Sequence, residues 1–339
     1  MPGAASGAGA SARARHGAAG LLRGPGRGVA AGKGKETTVT AALVWDVPHR
    51  ESFGVLIALY IFFTGLSAGS FFVSTLSYGF GLRLYRTLAR PAIVTATVML
   101  VVAPLFLLVH VGRPLRAWHL FAFLNPGSPI TWGSFLLTTY PLFCVVYGAC
   151  VFLGRDRAAG IWGLAGIPFA VAVHGYTGFI LSFCASRPLW HTSMVPLLFL
   201  VSAVVSGTAL MILVFAVVRA LQGKRIDGAS EAGGLVLSLG RLLGWVLLVD
   251  LVLTAAELLV GSVSGLESRW AVGELLRGEL AIRFVGVELV LGKLLPLGLL
   301  LSGRLRRVWT VLAASTLIVL GILFMRLDLV AVGELRPLV

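Results

Sequence analysis

Eight blocks of predominantly apolar residues, most of them more than 20 long, fill this sequence after residue 50. A helix needs about 20 such residues to cross roughly 30 Å of hydrocarbon. Within lipid only helices and closed barrels satisfy every backbone polar group. No strand-like alternation runs through the blocks, so a β-barrel is not expected. The chain is therefore expected to be an all-α membrane protein of about eight transmembrane helices. The spans read as 54–80, 92–112, 131–153, 160–184, 195–219, 234–260, 280–302 and 308–332. Pro104, Pro141, Pro168 and Pro296 fall inside them, where neighbouring groups take up the freed carbonyls. Gly65-Leu66-Ser67-Ala68-Gly69 is a G-x-x-x-G stretch that reads as a close helix crossing.

Composition agrees: 12% of residues are charged, against roughly 25% in a soluble domain, and mean hydropathy is +0.94. The net charge of +14 does not point to nucleic acid, because the Lys and Arg residues sit in short loops between apolar blocks. Residues 1–52 are rich in Gly, Ala and Arg and are expected to form a disordered basic tail and interfacial lead-in. Residues 53–339 form the polytopic transmembrane domain. Cys144, Cys150 and Cys184 lie in apolar segments without C-x-x-C spacing, so they read as buried small apolar residues rather than cluster or metal ligands.

The charge of the loops suggests an orientation. Arg83, Arg86, Arg90, Arg155, Arg157, Lys224, Arg225, Arg304, Arg306 and Arg307 flank one face, ten in all. Arg113, Arg116, Arg187, Arg269 and Arg277, five in all, flank the other. The positive-inside rule places the first face in the cytoplasm, with both termini and the loops at 113–130 and 185–194 facing outward. The basic tail argues the other way.

Two outward loops are unusually rich in Arg, His, Trp and Pro. One runs from His110-Val111-Gly112-Arg113-Pro114 through Trp118-His119 to Asn125-Pro126 and Trp132-Gly133. The other begins with His174-Gly175-Tyr176-Thr177-Gly178 and continues through Arg187-Pro188-Leu189-Trp190-His191. Trp118, Trp132 and Trp190 fit an interfacial aromatic belt, but the clustered His and Arg suggest a polar pocket or docking surface. Ionisable residues within spans are the sharper signal. Asp250 and Glu257, seven apart, share one face of the sixth span. Arg283, Glu288 and Lys293 lie on the seventh, His174 midway along the fourth and Arg326 on the eighth. Such charges cost several kcal/mol in hydrocarbon, so they face the bundle interior and take partners. They read either as a proton path or as neutralising pairs, such as Glu288 with Arg283 or Lys293. The sequence contains no P-loop or H-E-x-x-H motif.

At these loops the sequence resembles the NrfD/PsrC family, the integral membrane subunit of polysulfide reductase. Four stretches carry the likeness: Ile57-Ala58-Leu59-Tyr60 to Gly69; Gly112-Arg113-Pro114 to Ser128-Pro129; Tyr176-Thr177-Gly178 to Trp190; and Phe324-Met325-Arg326 to Gly333. The resemblance implies two four-helix bundles in the cytoplasmic (inner) membrane of a bacterium. It implies a quinol/quinone-reactive anchor that passes electrons between menaquinol and an iron–sulfur, ferredoxin-like subunit beside a catalytic oxidoreductase subunit. No haem, iron–sulfur cluster or metal is expected in the chain itself. The family's quinone pocket matches Tyr60, His110 and Tyr176 here.

Quinol oxidation releases two electrons and two protons. Tyr176 can donate to a quinone carbonyl, His110 can take a proton, and Tyr60 is expected close by. His174, Asp250, Glu257 and Glu288 are the candidates for a proton path. Arg113, His119, Arg187 and His191 are the candidates for partner docking. Two other classes stay open: a b-type cytochrome using His110 and His174 as axial ligands, and a secondary transporter built on broken helices.

Overall fold

The computed structural model describes residues 53–112, 114–116, 118–187, 189–302 and 307–334. The tail expected over residues 1–52, and Arg113, Arg304 and Arg306, lie outside the described residues. Helices α1 (Val55–Tyr78), α2 (Arg86–Val111), a four-residue α3 (His119–Ala122), α4 (Pro129–Phe152) and α5 (Asp156–Ser182) form the first half. The second half holds α6 (Met194–Leu221), α7 (Glu231–Val263), α8 (Leu266–Arg277), a π-helical segment (Ile282–Leu294) running into α9 (Leu295–Leu301), and α10 (Val308–Glu334). Eight of these stretches are long and apolar enough to cross a membrane, the π segment and α9 counting as one. Among the described residues there is no strand. The eight spans follow those read from hydropathy. Amphipathic α8 was not foreseen; it is too short and polar for a span and buries only one face, including Ala271, Val272 and Leu275.

Helices α1, α2, α4 and α5 pack on one another, and so do α6, α7, α9, the π segment and α10. Helix α1 also lies along α6 and α10, so it joins the two sets. Two glycines make that possible. A Cβ on Gly69 would overlap the carbonyl of Ala203 and come within 2.8 Å of the Gly207 Cα, so α1 and α6 cross backbone to backbone. The G-x-x-x-G stretch is thus a packing device at Gly69. Gly65 serves a different neighbour: its Cβ would lie 2.9 Å from Cε1 of His174, so the imidazole lies against bare backbone.

The seventh span departs from α-geometry. In an α-helix, residues five apart point about 140° away from each other round the axis. Bonding from i to i+5 brings them nearly one above the other. Glu288 and Lys293 are five apart, and the π segment sets them on one face. The Leu295 N–H closes the segment on the Val290 carbonyl. Pro296, which has no N–H to give, then sits in the first turn of α9.

Caps at the loops follow ordinary chemistry. Gly112 ends α2 at φ +71°, the left-handed conformation that glycine takes without a Cβ penalty. Pro129 starts α4 where a helix has no use for its missing N–H. On the opposite face Arg86 pairs with Asp156, tying the starts of α2 and α5 together. The cysteines are free; Cys144 is buried in the apolar core with Tyr140 and Tyr147.

The glycine crossings give a direct test. Gly69→Ala should lower the thermal midpoint of the purified protein, since neither backbone can withdraw from the added methyl. Gly298→Ala, where an added Cβ meets nothing within 4 Å, should leave it unchanged or raise it slightly.

Candidate functional site

Between α1, α2, α4 and α5 lies a cavity of about 530 Å³. Its walls are mostly Ile, Leu, Phe and Pro, with Tyr60 from α1, His110 from α2, Ser134 and Thr138 from α4, and Tyr176 and Thr177 from α5 as polar groups. Leu120 and Phe121 of the short α3 cover it at the loop face. Mostly apolar walls with a few placed polar groups are the usual form of a small-molecule site. The sequence assigned Tyr60, His110 and Tyr176 to one pocket, and all three line this cavity.

Each of the three is held differently. Tyr60 is 8% exposed and packs in a core cluster with Ile57, Ile61 and Ala103. Tyr176 lies over the backbone of Gly133, where a Cβ would overlap its ring. Gly133, after the first loop, is therefore a seat for the phenol of a later helix. His110 stands in the last turn of α2, its ring parallel to Phe53 with centroids 6.5 Å apart.

A second polar centre lies among α7, the π segment and α10. Lys293 and Asp250 are each 0% exposed, and the Lys293 Nζ lies 3.0 Å from Asp250 Oδ2 and 3.2 Å from Glu288 Oε1. It also donates to Thr254 Oγ1 at 2.7 Å. Asp250 and Glu288 thus neutralise a buried ammonium, which is the pairing read as one alternative for Glu288. The other partner suggested for Glu288 behaves otherwise: Arg283 pairs at 2.7 Å with Asp328 of α10. Asp328 was missed by sequence reasoning; an aspartate two positions after Arg326 inside an apolar helix was the available signal. Glu257, Glu288, Asp328 and Thr254 line a further cavity of about 30 Å³. At ~10–15 Å³ per molecule it has room for two or three waters. The buried Oε1 of Glu257 has no hydrogen-bond partner among the described residues, and Glu257 lines this mostly apolar void.

His174 belongs to neither cavity's polar set. Its Nε2 lies 2.9 Å from the Phe199 carbonyl, which requires a proton on that nitrogen. Arg326 Nη2, 3.3 Å away, therefore donates elsewhere, to Ser202 Oγ at 2.5 Å. The Arg326 guanidinium also stacks 3.7 Å over the Phe199 ring. The four residues offered as a proton path thus fall at two places, His174 with Arg326 and the carboxylates with Lys293. His110 and His174, the pair a haem would require, face different surroundings.

The docking residues also separate. His119 stacks between Trp118 and Phe123 at the loop face, and exposed His191 bonds to the Ser182 carbonyl through Nδ1. Arg187 turns inward, its side chain 14% exposed and 3.6 Å from Glu334. Trp190 is not a belt anchor: it is 1% exposed and its Nε1–H donates to the Leu329 carbonyl at 2.7 Å.

Eight membrane-length helices define an integral membrane protein, one that holds a mostly apolar cavity with two phenols and an imidazole and, apart from it, a buried charge centre. The family model described as "Polysulphide reductase, NrfD" matches residues 45–337, and the chain belongs to that family. It is 30% identical to a subunit of the selenate reductase of Mesobacillus selenatarsenatis, over 85% of this chain and 75% of that one. It is 30% identical to a Halobacterium salinarum protein named as a dimethyl sulfoxide reductase membrane subunit, over 84% of this chain and 70% of that one. Similarity to the Hdr-like menaquinol oxidoreductase integral membrane subunit of Archaeoglobus fulgidus is 32% identity over 48% of this chain and 42% of that one.

The buried ammonium makes a measurable claim. Lys293→Met should destabilise the protein by about 3–5 kcal/mol, because two buried carboxylates lose their counter-charge. Adding Asp250→Asn should recover part of that loss. Thermal midpoints of the single and double variants in detergent check both statements.

Proposed function

We propose that the cavity between α1, α2, α4 and α5 binds a quinol or quinone head group, menaquinol being the expected substrate. In this reading the chain anchors a respiratory oxidoreductase complex in the cytoplasmic membrane. It passes electrons between the quinol and an iron–sulfur partner, which in turn serves a catalytic subunit. One observation carries the proposal. Tyr60, His110 and Tyr176, scattered over more than a hundred residues and three helices, line one mostly apolar cavity. The name of the Archaeoglobus relative, a menaquinol oxidoreductase membrane subunit, supports the substrate class.

The residues supply the proton chemistry. Tyr176 and Tyr60 have phenol O–H groups to donate to quinone carbonyls, and His110 has a ring nitrogen to accept a proton from the quinol hydroxyl. The apolar wall of Ile57, Ile61 and Leu107 excludes water and suits an isoprenoid chain. Protons pass onward through the buried groups in this reading, with His174, Glu257, Glu288 and Asp250 as the stations. At the loop face, beside the α3 residues that cover the cavity, His119, His191 and Trp118 offer an edge for the electron-accepting partner in this reading. In this reading that docking face lies on the outside of the cytoplasmic membrane, which the excess of Lys and Arg on the opposite loops supports.

The test is turnover of the assembled complex with a soluble naphthoquinol. Tyr176→Phe should cost about tenfold, the effect of one hydrogen bond worth ~1.4 kcal/mol in the transition state. His110→Ala should cost roughly 10²-fold or more as a positioned proton acceptor is lost. Co-purification of the iron-containing partner must be unchanged in both. Wild-type turnover from either variant removes that residue from the mechanism.

A further inference from the structure

Phe53 is part of the cavity wall, yet it precedes α1 and no helix holds it. Its restraints come from far along the chain. The Phe53 N–H donates to Glu334 Oε1 at 3.1 Å, across 281 positions of sequence. Its ring meets Trp190 edge to face, centroids 5.5 Å apart, and runs parallel to the His110 imidazole. Trp190 is fixed in turn by its bond to the Leu329 carbonyl and by its seat on Gly333, where a Cβ would overlap the indole. The second carboxylate oxygen of Glu334 lies 3.6 Å from Arg187 Nη2. Glu334 is itself 5% exposed. One buried carboxylate at the end of α10 thus secures the lead-in to α1 and the loop between α5 and α6; the loop's Trp190 backs onto Phe53, and Phe53 onto His110.

We infer that Glu334 is a positioning residue for the quinone cavity: it fixes Phe53 beside His110 and thereby sets the shape of the cavity mouth. The inference rests on the reading of that cavity as the quinone site. A carboxylate suits the task because one oxygen accepts the Phe53 N–H while the other faces the Arg187 guanidinium. Without the anchor, Phe53 keeps only its ring contacts with Trp190 and His110, and the wall it makes beside His110 loses its fixed place. Bound substrate then meets a looser mouth, so the first quantity to change is the apparent affinity rather than the rate of the chemical step.

The experiment uses the assembled complex and two readouts, steady-state kinetics with a naphthoquinol and a fluorescence-quench titration with a quinone-analogue inhibitor. Glu334→Ala should raise KM and the inhibitor Kd about tenfold with kcat within a factor of about two. Glu334→Gln, which keeps the acceptor oxygen, should restore most of the affinity. Phe53→Ala should give a similar rise, and the Phe53→Ala/Glu334→Ala double variant should be no worse than either single one, since both act through the same ring. Wild-type affinity in Glu334→Ala, or fully additive effects in the double variant, overturns the inference. If Glu334→Ala does not assemble, the Gln variant and the Phe53 variant decide it: unchanged affinity in Phe53→Ala overturns it. A wild-type complex that fails to bind the inhibitor overturns the reading of the cavity instead.

Discussion

A lysine with no exposed surface, in the middle of a membrane-spanning helix, sets terms that the neighbouring helices must meet. Lys293 is tolerable in hydrocarbon only because Asp250 and Glu288 stand within 3.2 Å of its ammonium. Glu288 reaches it because the seventh span is π-helical there. Asp250 reaches it because α7 packs against α9 of the same span. Thr254, one turn beyond Asp250, takes another proton of the same ammonium. The relative placement of α7 and the π segment therefore follows from the requirement that one charge be matched.

The first four helices solve a different problem. They leave apolar space rather than fill it, and a few polar groups face inward at one end. Glycine sets both the tight and the open parts of this arrangement. Gly69 lets α1 and α6 touch at the backbone, Gly65 leaves room for His174, and Gly133 leaves room for the phenol of Tyr176. A side chain at Gly133 would push Tyr176 out of the position in which it lines the cavity. The residues that shape the site thus include several that carry no functional group.

Hydropathy alone disclosed the eight spans, because 20 consecutive apolar residues admit few other structures. The three cavity residues were legible through short motifs that matched a known family. What was not legible depended on partners distant in sequence. Arg283 read as a neighbour of Glu288 on its own helix but pairs with Asp328, 45 positions later. Nothing about Phe53 or Glu334 taken singly marks either one, since their meaning lies in a contact across the whole transmembrane domain. Trp190 looked like an interfacial anchor by composition and context, yet Gly333 and Leu329 draw it into the core. The π segment escaped because no residue type signals it; the five-residue spacing of Glu288 and Lys293 becomes informative only once their contact is known.

The shared ammonium has a bearing on how the chain is made. When the seventh span leaves the ribosome it carries an arginine, a glutamate and a lysine, a combination that partitions poorly into lipid as a lone helix. Its counter-charge, Asp250, has by then been synthesised one helix earlier. The two segments are suited to leave the translocon as a hairpin, with the loop that contains α8 between them. The last helix must then arrive with Arg326 still lacking Ser202 and Phe199, both contributed by the fifth span. Electrostatics thus ties α10 to the fifth span, where Ser202 and Phe199 form the socket that receives Arg326.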